Sequence, residues 1–133
     1  MRKHIAVILA TFAIVACDSV TAPDLTTFAG NYALRSVNDT VLPYTVIQQS
    51  AYSLAITADT IFMSVNGIFV DVTHYKQNTN DVIDFPADSL GGEWTVDGTT
   101  VTFHATSGQI FSGDIGSSTI TIIGAGAKAI YSR

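Results

Sequence analysis

Two histidines, His74 and His104, sit in runs of threonine and aromatic residues, and three aspartates, Asp81, Asp84 and Asp88, cluster with Asn78 and Asn80 between Gln77 and Leu90. Histidine is the side chain that most readily serves as a base or metal ligand near neutral pH, and oxygen-rich loops can hold calcium. Neither chemistry finds its supporting pattern. The chain has no HxH, HExxH or Gly-x-Ser-x-Gly, and its glycines fall at turn positions instead of forming a Gly-x-Gly-x-x-Gly or Walker sequence. The acids miss the EF-hand spacing, and no bidentate glutamate follows them. The expectation is therefore no enzyme, no cofactor and no metal, with surface or barrel-end histidines and a solvated acidic loop. His74 and His104 could still act together if their strands lie side by side.

The remaining reactive side chain is Cys17, the single cysteine among 133 residues, which can form neither an internal disulfide nor a thiolate zinc site. It follows a positive start at Met1 to Lys3 and an apolar stretch of 12 residues, Ile5 to Ala16, with small residues before the cysteine. That stretch is signal-peptide anatomy, shorter than the roughly 18 to 20 apolar residues of a permanent spanning helix. Ile14-Val15-Ala16-Cys17 closely resembles the lipobox of bacterial lipoproteins. The resemblance implies cleavage before Cys17, acylation of its thiol, and a membrane-anchored lipoprotein of the bacterial cell envelope facing the periplasm or the exterior. Acyl chains contribute about 0.8 kcal/mol per buried methylene, so two or three chains anchor a domain that one would not. Loss of residues 1–16 leaves Arg35, Lys76, Lys128 and Arg133 against 11 acids, a net charge of −7. Such a domain opposes nucleic-acid phosphates and anionic lipid surfaces, so the membrane contact is expected through the lipid alone.

These features divide the chain into a signal peptide (1–16), a lipidated cysteine with a polar tether (17–28) and one folded domain (29–133). In that domain apolar and polar residues alternate with the strand period of two, broken by turn residues at close spacing. Nine runs stand out: Ala29 to Val37, Tyr52 to Thr57, Thr60 to Val65, Ile68 to Tyr75, Gly92 to Val96, Thr99 to Ala105, Gln109 to Ile115, Ser118 to Ile123 and Ala127 to Ser132. Ala58-Asp59, Asn66-Gly67 and Asp97-Gly98 read as turns, Asn66-Gly67 as a type I′ hairpin. Thr45 to Ser50 could form a turn of helix, and Gln77 to Leu90 reads as the longest unstructured stretch. The expected fold is all-β: a small antiparallel meander barrel of eight or nine strands, since closure removes exposed edges. Gly30-Asn31-Tyr32-Ala33-Leu34 and Gly92-Glu93-Trp94-Thr95-Val96 open the two halves alike. Either a weak internal duplication or a common way to begin a barrel strand explains that likeness.

The opening Gly30-x-Tyr32-x-Leu34-x-x-Val37-Asn38, then Leu42-Pro43-Tyr44, and Gly92-x-Trp94-Thr95-Val96-x-Gly98 followed by Thr100-Val101-Thr102-Phe103 resemble small lipocalin-like bacterial lipoproteins. Gly-x-Tyr is similar to the Gly-x-Trp that opens a lipocalin barrel. The chain is shorter than a lipocalin and lacks the cysteine pairs and the later Thr-Asp-Tyr sequence. The resemblance implies a barrel holding a small hydrophobic ligand, with Tyr52, Leu54, Phe62, Phe69, Trp94 and Phe103 as the candidate lining. The alternative from the same residues is a barrel filled by its own side chains, whose outer surface meets another envelope protein. Phe62 and Phe69 are singled out because their runs are apolar on both faces. A domain of about 105 residues leaves room for a small ligand at most.

Overall fold

The computed structural model describes residues 24–79 and 82–133. A 3₁₀ turn, Leu25–Thr27, is capped by Asp24, whose carboxylate accepts from the Thr26 amide at 3.0 Å. Eleven strands follow: β1 (Gly30–Val37), β2 (Thr40–Val41), β3 (Tyr44–Gln49), β4 (Tyr52–Met63), β5 (Ile68–Asn78), β6 (Val82–Asp84), β7 (Asp88–Asp97), β8 (Thr100–Ala105), β9 (Ile110–Ile115), β10 (Thr119–Gly124) and β11 (Ala127–Ser132). Eight of them, β1, β4, β5, β7, β8, β9, β10 and β11, pair in chain order as an antiparallel meander. β1 then pairs with both β4 and β11, which closes the barrel. No helix among the described residues is long and apolar enough to cross a membrane.

The other three strands lie off the barrel. β4 pairs with β1 over Thr60–Met63 and with β3 over Tyr52–Ile56, while β5 pairs with β7 over Ile68–Thr73 and with β6 over Lys76–Asn78. The long β4–β5 hairpin thus runs past the barrel at one end and carries β3 and β6 on its flanks as a four-stranded overhang. This corrects two expectations. Thr45 to Ser50 lies mostly in a strand, because Tyr44–Gln49 finds a partner edge in β4, and the stretch after Gln77 is interrupted by β6.

Ala58-Asp59 is not a turn. β4 continues through it, and the register against β5 slips by one between Ile56 and Ala58, leaving Thr57 as a bulge. The extra residue switches which parity faces inward: Tyr52, Leu54 and Ile56 precede it, and Asp59, Ile61 and Met63 follow it on the same side. The break in alternation that reads as a turn is this switch, and it merges two expected strands into one. The Ser64–Gly67 connection is also not type I′. Only Gly67 has positive φ, at +82°, and its amide donates to Ser64 O at 3.1 Å, so a type I turn followed by a left-handed glycine joins β4 to β5. The type I′ geometry, with φ positive at both central residues, occurs at Asn38-Asp39 and at Ala125-Gly126. Asp97 pairs directly with Thr100, so the β7–β8 loop is Gly98-Thr99.

One end of the barrel is shut. Tyr32, Trp94, Met63, Val101, Ile115 and Ile120 are buried there or just inside it. The Trp94 indole donates to Ser64 O at 3.1 Å, and Leu25 of the 3₁₀ turn packs over the β4–β5 loop, 3.5 Å from where a Gly67 Cβ would stand. Arg133 ties the end of β11 to the segment before β1: it donates to Ala29 O at 2.8 Å and Thr27 O at 3.0 Å, also to Ser117 O, and its guanidinium lies 5.6 Å over the Tyr32 ring. Farther in, Phe69, Phe103 and Phe111 form a three-ring plug. Phe69 meets the other two edge to face at 5.0 and 6.0 Å, and Phe103 stacks on Phe111 at 4.8 Å.

Candidate ligand site at the open end

Beyond the phenylalanine plug the inner face turns polar. Asp71 follows Phe69 by two residues on β5 and so points the same way, as does Asp59 relative to Ile61 on β4. Ile61 pairs with Asp71 and Asp59 with Thr73, which sets the two carboxyls diagonally across one strand pair. Tyr131, reaching in from β11, donates its hydroxyl proton to Asp59 Oδ2 at 2.8 Å.

Asp59 is only 7% exposed, and its Oδ1 and that of Asp71 are shielded from water with no donor from any third residue among the described residues. Burial, a hydrogen bond to Asp59, and the charges of Asp59 and Asp88 push the Asp71 carboxyl up to about 8, against a smaller opposing contribution from the Val72 amide. At neutral pH Asp71 therefore holds a proton and bonds to its neighbour. Burial, with the neighbouring aspartate charges, also raises Tyr131 far above the ordinary tyrosine range, and burial raises Tyr75 in the same direction. Both phenols stay neutral.

Asp71 and Tyr131, though not Asp59, border a cavity of about 430 Å³ whose other walls include Leu90, Phe111, Ile122 and Ala129. Its rim carries the Ala125-Gly126 turn, where Ala125 adopts φ of +50°, a conformation that costs an alanine roughly 1–2 kcal/mol. A second hollow of about 350 Å³ lies under the overhang between Tyr52, Leu54, Tyr75, Phe85, Pro86 and Asp88. Tyr75 feels the charges of Asp59, Asp71 and Asp88, which places the two hollows within electrostatic reach of one another.

The six candidate lining residues do not converge. Phe69, Trp94 and Phe103 are fully or almost fully buried and fill the barrel. Phe62 is 42% exposed on the outer wall, where it joins Ile68 and Val70 across the β4–β5 hairpin. Tyr52 and Leu54 line the hollow beneath the overhang, and Phe62 and Phe69 border a separate one of about 280 Å³ on the outer wall. His74 and His104 are exposed on β5 and β8, with β7 between them; His104 lies level with Ile68, six residues along β5 from His74, so the two do not meet. Of the loop acids, Asp88 begins β7 and Asp84 ends β6, whereas Asp81 and Cys17 lie outside the described residues. Among the described residues no group of three or more His, Cys, Asp or Glu is placed to hold a metal ion.

Asp59, Asp71 and Tyr131 form the polar heart of the site, and sequence reasoning passed over them. Asp71 did leave a signal: it shares a face with Phe69, Thr73 and Tyr75, and a carboxylate in the stripe of a buried phenylalanine is costly without a purpose. Asp59 gave none, since the bulge hid which way it points. Compared with family models, curated proteins and solved structures, the chain matches none.

Proposed function

We propose that the protein is a lipid-anchored β-barrel of the bacterial cell envelope, acylated at Cys17, which holds a small and largely apolar ligand at the open end of its barrel. The observation behind the ligand is the asymmetry of the interior: one end is plugged by aromatic rings and sealed by Arg133, and the other opens into a cavity of about 430 Å³. Cavities of 300 to 1,000 Å³ with apolar walls and a few placed polar groups are where small molecules bind. The observation behind the anchor is the register of positive start, apolar stretch, small residue and lone cysteine.

The ligand reading is tested with Prodan, a neutral apolar dye whose emission rises and shifts to the blue in a dry site. The lipidated protein should bind it, and Ala129→Phe, which fills the cavity wall, should abolish the response. An equal response from both proteins, or none from either, overturns the reading. Trp94 is a poor reporter because its indole is bound at the shut end. The anchor reading fails if Cys17→Ala leaves the protein in the membrane fraction.

One observation favours a second reading, an interaction lipoprotein with a filled barrel. Phe62, Ile68 and Val70 are each more than 40% exposed on one outer face, with Val65 at 62% beside them. Absence of Prodan binding, together with loss of a co-purifying envelope protein in Phe62→Ser, would favour that alternative.

A further inference from the structure

We propose that the outer wall of the β4–β5 hairpin at the shut end is a second membrane contact, where Phe62, Val65 and Ile68 enter the headgroup region of a zwitterionic bilayer beside the acyl anchor. The inference rests on the anchor reading above and goes beyond it: the folded domain gains a lipid contact of its own and a fixed side toward the bilayer.

Four apolar side chains form the patch. Phe62 pairs with Val70 across the hairpin, Ile68 opens β5 directly after the turn, and Val65 stands in the turn itself. Each is more than 40% exposed, and Phe62, Ile68 and Val70 border the outer-wall hollow of about 280 Å³. Strand parity separates them from the core: Ile61, Met63 and Phe69 point inward and are buried, so their neighbours in the chain point out. The outer face of such a wall is ordinarily polar, and an aromatic ring there contributes nothing to the fold that a threonine would not. The turn residues Ser64, Asn66 and Gly67 are uncharged, as is Asn31, which pairs with Phe62 from β1. Other exposed large apolar residues, such as Val41, Ile110 and Ile123, stand at the open ends of their strands.

The place where the chain leaves the fold says what covers the patch. Leu25 lies against the β4–β5 loop at Gly67, so the segment leading back to Cys17 departs beside this hairpin. Six residues separate Cys17 from Asp24, a connection shorter than the roughly 40 Å length of the 12-residue strand β4. An anchored domain therefore keeps its shut end toward the bilayer, with the patch next to the point of attachment. The acids at this end set the depth and the lipid. Glu93 pairs with Ile68 and faces the same way, and Asp24 and Asp97 precede the 3₁₀ turn and end β7. Three acids against Arg133 keep the contact shallow and oppose an anionic surface, whereas a zwitterionic leaflet presents them no net charge.

The test uses the acylated protein, in which Cys17 is blocked, with Val65→Cys carrying the environment-sensitive dye NBD. It is bound to phosphatidylcholine vesicles with and without phosphatidylcholine spin-labelled at carbon 5 of an acyl chain. The same dye on Ser107→Cys, in the β8–β9 loop at the open end, is the reference. The Val65 dye should shift to the blue and be quenched at least threefold more strongly than the Ser107 dye. Phe62→Ser combined with Ile68→Ser should bring it down to the Ser107 level. Replacing part of the lipid with phosphatidylglycerol at low salt should weaken the quenching, and added salt should restore it.

Equal quenching at the two positions, in protein that floats with the vesicles, overturns the inference, leaves the anchor standing and assigns the patch to a protein partner. Quenching that survives the double substitution also overturns it, since the dye and not the patch then seeks the lipid. Stronger quenching on phosphatidylglycerol overturns the zwitterionic preference. Should the double variant not fold, the comparison of the two dye positions still decides. Protein that does not float at all overturns both the anchor and the inference.

Discussion

The two ends of this barrel are built from the same strands and obey opposite rules. At the shut end each polar group has a partner: the Trp94 indole has Ser64 O, the Tyr32 hydroxyl has Phe28 O at 2.8 Å, and the Arg133 guanidinium has three carbonyls. At the open end two carboxyls are buried against each other with no cation beside them among the described residues, an alanine holds a left-handed backbone, and two phenols are kept from ionising. The first region is what a sequence does to fold. Retaining the second costs stability, and such costs concentrate where a protein does something other than fold.

Substitutions at each end separate these roles. Trp94→Ala should have the largest effect, about 3–5 kcal/mol of lost stability, since it empties a fully packed volume; urea denaturation would measure it, and a loss below about 1 kcal/mol would mean that the shut end does not hold the barrel. Asp71→Asn should do the reverse. In the unfolded chain Asp71 ionises near 3.9, whereas in the fold it keeps its proton to about 8, so the folded state binds more protons across that interval. Stability of the unaltered protein should therefore fall as pH rises from about 4 to 8 and level off above it. Asp71→Asn should flatten this slope and, at pH 8, gain on the order of 2–3 kcal/mol, less than the full shift because water at the open end screens the charge. Melting temperatures across that pH range would show it; an unchanged slope would mean that the carboxyl is not buried as described.

Tyr131→Phe should lose about 1–3 kcal/mol by taking the donor from the buried Asp59 Oδ2, and the loss should shrink in an Asp59→Asn background if the two form one unit. A double-mutant cycle reads that coupling. The smallest change is Ala125→Gly. It relieves the left-handed strain at the rim but loosens the unfolded chain, for a net gain of about 0.5–1 kcal/mol in thermal stability.

Much of the fold was legible in the sequence because a meander barrel needs only local information: strand alternation and turn residues at close spacing. The hairpins around Gly67, Gly98 and Gly126 all appear where their glycines stand, although turn type and the off-by-one loop at Gly98-Thr99 depend on pairing partners. The bulge at Thr57 was illegible for the same reason, because a change in alternation has one appearance whether the chain reverses or continues past an extra residue. Of the ligand candidates chosen for aromaticity, Phe69, Trp94 and Phe103 are buried and fill the shut half of the barrel. The cavity at the open end is bordered instead by Asp71, Tyr131 and small residues such as Ala127 and Ala129, whose contribution is the space they leave.

The chain enters the barrel at its shut end, through the Leu25–Thr27 turn packed over the β4–β5 loop. If Cys17 carries acyl chains, only six residues separate it from Asp24, a reach of about 25 Å at full extension. The membrane then lies on the side of the sealed floor, and the mouth with its aspartates opens away from the headgroups. A ligand would arrive from the aqueous compartment and not by diffusing out of the bilayer, so the protein would act as a tethered scavenger of the surrounding fluid.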